Sequence, residues 1–172
     1  MAAEPSPVTC IEEENLFVQL THDRLDIASI MARVKSPKAG AVVLFAGTTR
    51  DSFADKPVVH LAYSAYAPLA LRTMQSIARE VKGQHSLTAI AMVHRLGVCP
   101  VGEESILIAV SSPHRLAAWR AGEQALEECK ERVEVWKLEE FGGDEGAVWR
   151  ANRDGQAGAR VENAMDDVGG QT

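Results

Sequence analysis

Cysteine is scarce in this chain, and the little there is lies scattered. Cys10, Cys99 and Cys129 are the three thiols in 172 residues, and no two form a CxxC pair. So odd and sparse a set builds no disulfide framework; it predicts reduced thiols and a cytoplasmic address. Long hydrophobic runs are missing as well. The longest apolar stretches, such as AGAVVLFAG, fall far short of the roughly 20 residues that a helical bilayer span takes. The opening MAAEPSPVTCIEEEN has no basic region followed by an apolar one, so no secretory signal is expected. Positive charge is in deficit, with 18 basic against 24 acidic residues, a net charge of −6 and a pI near 5.4. That balance excludes the broad basic surface of a general nucleic-acid binder but leaves room for a local basic pocket that takes a small anion. Walker A, Rossmann and HExxH signatures are absent, and the five histidines are dispersed. Neither a metal site nor a bound cofactor is expected.

What remains is an ordinary globular composition, 46% hydrophobic and 24% charged, long enough for one domain with a real core. Residues 1–14, rich in Pro, Ser and Glu, read as a flexible lead, and the Gly- and Asp-rich residues 153–172 as a disordered tail. Between them, 15–152 form a single domain. NLFVQLT and AVVLFAGTT have the composition of strands, and the stretch between them, DRLDIASIMARVK, has helical spacing. RDSFADKP reads as a loop, VVHLAYSAY as a strand, and Pro68 opens a helix over LALRTMQSIAREVK. LTAIAMVHRLG and SILIAVSS are strands around the turn-rich VCPVGEE. The longest helix is PHRLAAWRAGEQALEECKERV, and EVWKLEEF and GAVWRAN close the chain as strands. Three helices among these strands make an α+β (mixed α/β) domain.

Candidate chemistry gathers at a few points. Ser112 is a good N-cap and Pro113 a good first residue for the long helix, whose first turn carries unpaired N–H groups and partial positive charge. His114 and Arg115 add donors there, a combination suited to an anion; the plainer alternative is that Arg115 pairs with an acid and His114 packs. Arg50, after GTT, stands at a strand mouth, where binding residues are favoured but a lone arginine is often only a surface residue. Lys130 and Lys137 lie seven apart. If the helix continued, Lys137 would stand about 10.5 Å further along the same face; the β-branched VEVW instead predicts a strand that folds Lys137 back toward Lys130. Two ammonium groups in one pocket disfavour each other's charge, which favours a neutral, nucleophilic amine. Cys129, near a helix C-terminus, is in the wrong field to become a thiolate.

Taken together, GAVVLFAGTTR, LAYSAYAPLA, VHRLGVCPVGEESILIAVSSPHR, CKERVEVWKLE and VWRAN resemble the large, catalytic subunit of molybdopterin synthase, over about residues 40–152. The resemblance implies an α/β hammerhead with an added antiparallel subdomain. It implies a sulfurtransferase that builds the dithiolene of molybdopterin on cyclic pyranopterin monophosphate, a step in molybdenum cofactor biosynthesis. The sulfur would arrive as a thiocarboxylate on the C-terminal glycine of a small ubiquitin-like partner, in a heterotetramer with a central large-subunit dimer. By the same resemblance Arg50, His114 and Arg115 match substrate-binding positions. Lys130 matches the lysine against the partner's terminal glycine, and Lys137 the second essential lysine, with Leu138 and Glu139 beside it. Two positions depart from the family pattern. Ser64 replaces a frequent Glu, which alters an expected ion pair, and Glu134 replaces a frequent Pro, which bears on how Lys137 enters the pocket. Two rival readings are a non-catalytic adaptor for a ubiquitin-like tail and a persulfide sulfurtransferase using Cys129.

Overall fold

The computed structural model describes residues 9–142, 146–151 and 159–160. The first sheet has the order β1-β2-β6-β8-β3. Its strands are β1 (Cys10–Glu13), β2 (Leu16–Thr21), β3 (Ala41–Thr48), β6 (Ala89–Arg95) and β8 (Glu104–Ser112). β2 and β6 run parallel and the remaining neighbours antiparallel. The second sheet is antiparallel throughout, in the order β11-β10-β9-β5-β4 with β7 also on β5. It comprises β4 (Ser52–Phe53), β5 (Lys56–Ala65), β7 (Gly97–Pro100), β9 (Val135–Phe141), β10 (Ala147–Ala151) and β11 (Ala159–Arg160). Helix α1 (Ile27–Val34) lies on one face of the first sheet, and α2 (Ala67–Gln84) and α3 (Arg115–Arg132) on the other.

Alternation along the strands explains this layering. Val18, Ile90, Met92, Ile108 and Val110 point to the α2/α3 side, while Phe17, Ala91, Val93, Leu107 and Ala109 point to α1. Strands buried on both faces therefore read as continuous apolar runs rather than as alternating ones. Helix α2 supplies large side chains to that core, Leu71, Met74 and Ile77 among them, each contributing about 1.5–3 kcal/mol by burial. Helix α3 instead presents Ala118, Ala121, Gly122, Ala125 and Cys129, a row of small residues that brings its axis close to β3 and β8. Among the described residues no helix is long and apolar enough to cross a membrane.

Several elements differ from the expected ones. The mixed α+β class holds, with three helices and two sheets. Cys10–Glu13, read as part of a flexible lead, pairs with β2, and Ala159–Arg160, within the tail read as disordered, pairs with β10. Backbone pairing thus reaches beyond 15–152 at both ends; residues 1–8, 152–158 and 161–172 lie outside the described ones. The loop expected over 50–57 contains the β4–β5 hairpin, turned at Ala54 and Asp55, both with positive φ. The turn-rich 98–104 holds most of β7, which pairs with β5. Helix α3 begins two residues later than expected. His114 is its N-cap, in extended conformation and without a side-chain cap, while Ser112 Oγ accepts from the His114 N–H at 3.4 Å. Pro113 is held outside the helix, its carbonyl so close to Gly40 that a Cβ there would stand 2.6 Å away.

Candidate active site

Where the two sheets meet, a cavity of about 440 Å³ opens between the end of β3, the start of β8, the last turn of α3 and the inner face of β5 and β9. Its shape begins with Gly47. An added Cβ would meet Ile106 Cγ2 at 2.7 Å, so only glycine permits this approach of β3 to β8. The pairing register breaks just after it, between Gly47 and Thr48. Such irregularities re-aim side chains near functional sites. Beyond the break Thr49 turns inward and donates from Oγ1 to the Cys99 carbonyl at 3.3 Å, and Arg50 lines the cavity.

Lys130 and Lys137 both line it, and their convergence has a backbone cause. Helix α3 ends at Arg132, Val133 adopts extended geometry, and β9 starts at Val135. The strand predicted from VEVW therefore forms, and it doubles back beside the last helical turn. Glu134, where the family often has Pro, receives the Thr73 hydroxyl at 2.9 and 3.1 Å, fastening this turn to α2. Alternation along β9 then sorts its residues. Lys137 and Glu139 point into the cavity; Leu138 does not line it, because it belongs to the opposite face with Trp136. Ser64 lies opposite Trp136 on that outer face, where His60 Nε2 stands 2.9 Å from Glu140 Oε2.

Electrostatics inside are tightly arranged. Glu139 is 2% exposed and its Oε1 sits 3.1 Å from Lys137 Nζ. Lys137 thus has a carboxylate partner in the cavity, which the spacing of the two lysines alone did not reveal. Beneath them lie Tyr63 and His94, edge to face with ring centroids 5.0 Å apart. Burial pushes the Tyr63 phenol up to about 12, opposed in part by a hydrogen bond with Ser105, so it stays a neutral hydrogen-bonding group. Burial pulls His94 down to about 4, and its Nδ1 donates to the Arg95 carbonyl at 2.8 Å. Cys129 also lines the cavity, yet it is 3% exposed and burial pushes its thiol up to about 12, against the smaller effect of Lys130. A thiol so held is not a ready nucleophile, which counts against the persulfide reading.

His114 and Arg115 are not brought to this cavity. They are exposed at the opposite end of α3, about 22 Å from Lys130 by helical rise. The two sequence candidates that share α3 thus sit at its two ends. Sequence reasoning also missed Tyr63, His94, Ser105 and Arg150. The first three looked like strand residues, and their common cavity appears only once β5, β6 and β8 are placed. Arg150 pairs in register with Lys137 across β9 and β10, a contact that the order of residues alone does not reveal.

The family profile described as MoaE protein matches residues 20–132. The molybdopterin synthase catalytic subunit of Sclerotinia sclerotiorum is 67% identical over 150 residues, 87% of this chain and 76% of that protein. A crystal structure of molybdopterin synthase from Staphylococcus aureus is similar with a TM-score of 0.72 and 32% identity, over 76% of this chain and 94% of its own. A chain in the complex of subunits 1 and 2 of molybdopterin-converting factor from Helicobacter pylori shares the fold, with a TM-score of 0.60 at 20% identity, over 73% of this chain and 85% of its own. With most of its length matched at this level, the chain belongs to the MoaE family, that of the molybdopterin synthase catalytic subunits.

Proposed function

We propose that this protein is the catalytic subunit of a cytoplasmic molybdopterin synthase. It transfers sulfur from the thiocarboxylated C-terminal glycine of a small ubiquitin-like subunit to cyclic pyranopterin monophosphate. The observation that carries this reading is the convergence of Arg50, Lys130 and Lys137 on one cavity whose single buried thiol, Cys129, is disfavoured as a nucleophile. A donor that brings its own sulfur needs no protein thiol; it needs fixed cations for its carboxyl end and for the oxyanion formed as sulfur leaves. Lys130 and Lys137 fill that role, and one of them gives a proton to the oxygen that leaves the pterin side-chain carbon as the thiocarboxylate sulfur bonds to it. Two sulfurs require two donors, each released as a carboxylate after water takes the place of sulfur.

His114 and Arg115 bind the cyclic phosphate in this reading, and they act on the cavity of a second copy because their own lies a helix length away. A central dimer of large subunits, each with a small subunit, meets that need. The test is single-turnover conversion of the pterin precursor by purified protein and thiocarboxylated partner. Dithiolene formation is expected from the native chain, and a rate lower by roughly three orders of magnitude from Lys130→Ala, which still binds the partner. Turnover by Lys130→Ala at the native rate refutes this assignment.

A further inference from the structure

Behind the cavity's lining, one charged side chain that sulfur transfer has not so far used reaches Glu139. Arg150 of β10 stands opposite Lys137 of β9 in the sheet register. Its Nε lies 3.3 Å from Oε2 of Glu139, while Lys137 Nζ lies 3.1 Å from Oε1 of the same carboxylate. The Glu139 side chain is 3% exposed, and those of Lys137 and Arg150 are 19% and 25% exposed. One nearly dry carboxylate is therefore shared by two cations, and the trio's formal charge is +1.

The Arg150 contact is ionic rather than a shaped hydrogen bond. Arg150 Nε and Glu139 Oε2 are both buried, and neither has an aligned hydrogen-bond partner among the described residues. From another side the Phe53 ring approaches the guanidinium, its centroid 5.2 Å from Cζ, a cation–π contact supplied by the β4–β5 hairpin. Two elements outside β9 thus help fix the charge that faces Glu139.

Without Arg150, Lys137 and Glu139 form a closed neutral pair. An incoming carboxyl group then meets attraction and repulsion from atoms 3.1 Å apart. With Arg150 in place the carboxylate is already offset, and the charge of Lys137 remains available to an anion. We propose that Arg150 is a positioning residue of the sulfur-transfer site: it holds Glu139 and offsets its charge, so that Lys137 presents a net positive charge to the anionic end of the sulfur donor. This inference rests on the sulfur-transfer reading of the cavity. A mere clamp between β9 and β10 makes different predictions.

The experiment compares Arg150→Met and Arg150→Lys, each alone and with Glu139→Gln, in the assembled complex with thiocarboxylated partner. Single-turnover sulfur transfer and thermal melting are both followed. Arg150→Met is expected to slow transfer about thirtyfold, the scale of one charged contact. Arg150→Lys is expected to recover to within about threefold of the native rate, since it restores the charge. In the Glu139→Gln chain, Arg150→Met is expected to change the rate less than about threefold further, because no carboxylate remains to be offset. A native rate for Arg150→Met overturns the proposal. So does an equal loss with and without Glu139, or a loss that follows the melting temperature and is not recovered by Arg150→Lys. Lys137→Ala in the same assay separates two failures. If it transfers sulfur normally, the reading of the site falls; if it is inactive while Arg150→Met is native, only the role of Arg150 falls.

Discussion

The two ends of α3 carry the same kind of chemistry in opposite settings. At its C-terminal end Lys130 faces a cavity with Lys137, Glu139 and Arg50, floored by Tyr63 and His94. At its N-terminal end His114 and Arg115 stand in solvent, beside the exposed apolar side chains of Leu116 and Trp119. Burial makes cations costly and effective, and requires partners for them, as Glu139 is for Lys137. Exposed cations cost little and accomplish little until something covers them. In the proposed function one end is a finished half-site, and the other becomes one only when a second copy covers it in the proposed dimer.

The comparison breaks most visibly if Lys130 is dispensable. Lys130→Ala is expected to lower dithiolene formation by roughly three orders of magnitude, the upper range for loss of one oxyanion-stabilising group, with partner affinity largely retained. Quenched single turnovers and a binding isotherm measure the two quantities separately. A drop in binding alone would turn the cavity into a docking groove.

The buried end should also show itself in stability. His94 is held neutral, with its folded-state pKa near 4 against an ordinary value near 6.5. The unfolded chain therefore binds the extra proton between these values, and stability falls as pH drops from about 6.5 toward 4. The full contribution is about 3 kcal/mol, present above pH 6.5. Urea denaturation across this range should show the slope, and His94→Gln should flatten it. An unchanged slope in His94→Gln would mean that the imidazole is not the group responsible.

How much of this was legible beforehand depends on range along the chain. The helix–strand order came from local periodicity, and VEVW alone was enough to turn the chain after Arg132 into β9. Of the three neighbours expected together, Lys137 and Glu139 line the cavity and Leu138 does not, a separation that period-two alternation in a strand already implies. The N-cap was misassigned because Ser112 is still paired in β8 with Ala41, so a strand bond outcompeted a local capping preference. Arg150 and the Tyr63–His94 floor were illegible because they depend on which strand pairs with which. That pairing is settled by packing, not by neighbours in sequence.

At the exposed end the expected effects are smaller and of another kind. Arg115→Ala should leave the melting temperature nearly unchanged, since an exposed substitution there rarely exceeds about 0.5 kcal/mol. It should nevertheless weaken use of the pterin phosphate by about 2 kcal/mol, roughly thirtyfold, read as a raised KM for the precursor. The two-copy arrangement has a sharper consequence. Arg115→Ala and Lys130→Ala chains, mixed and reassembled, should turn over subsaturating precursor faster than either does alone, because mixed dimers contain one intact composite site. If mixing restores nothing, the two ends of α3 do not serve one cavity, and the exposed cations belong to something else.

Cys129→Ser carries the smallest expected effect and isolates the origin of the sulfur. The thiol packs at the base of the cavity next to Lys130, so a protein-borne persulfide would have to form there. Its burial opposes ionisation, and no access is gained at the helix end, where the dipole also disfavours an anion. Serine keeps the size and removes the nucleophile, at a cost of about 1 kcal/mol from placing a hydroxyl in an apolar setting. Turnover with thiocarboxylated partner should therefore stay within about threefold of the native rate, a change of less than 1 kcal/mol in the barrier. A collapse of turnover with a preserved melting temperature would move the sulfur from the partner's terminus onto this side chain, and the lysines beside it would become activators of a thiol.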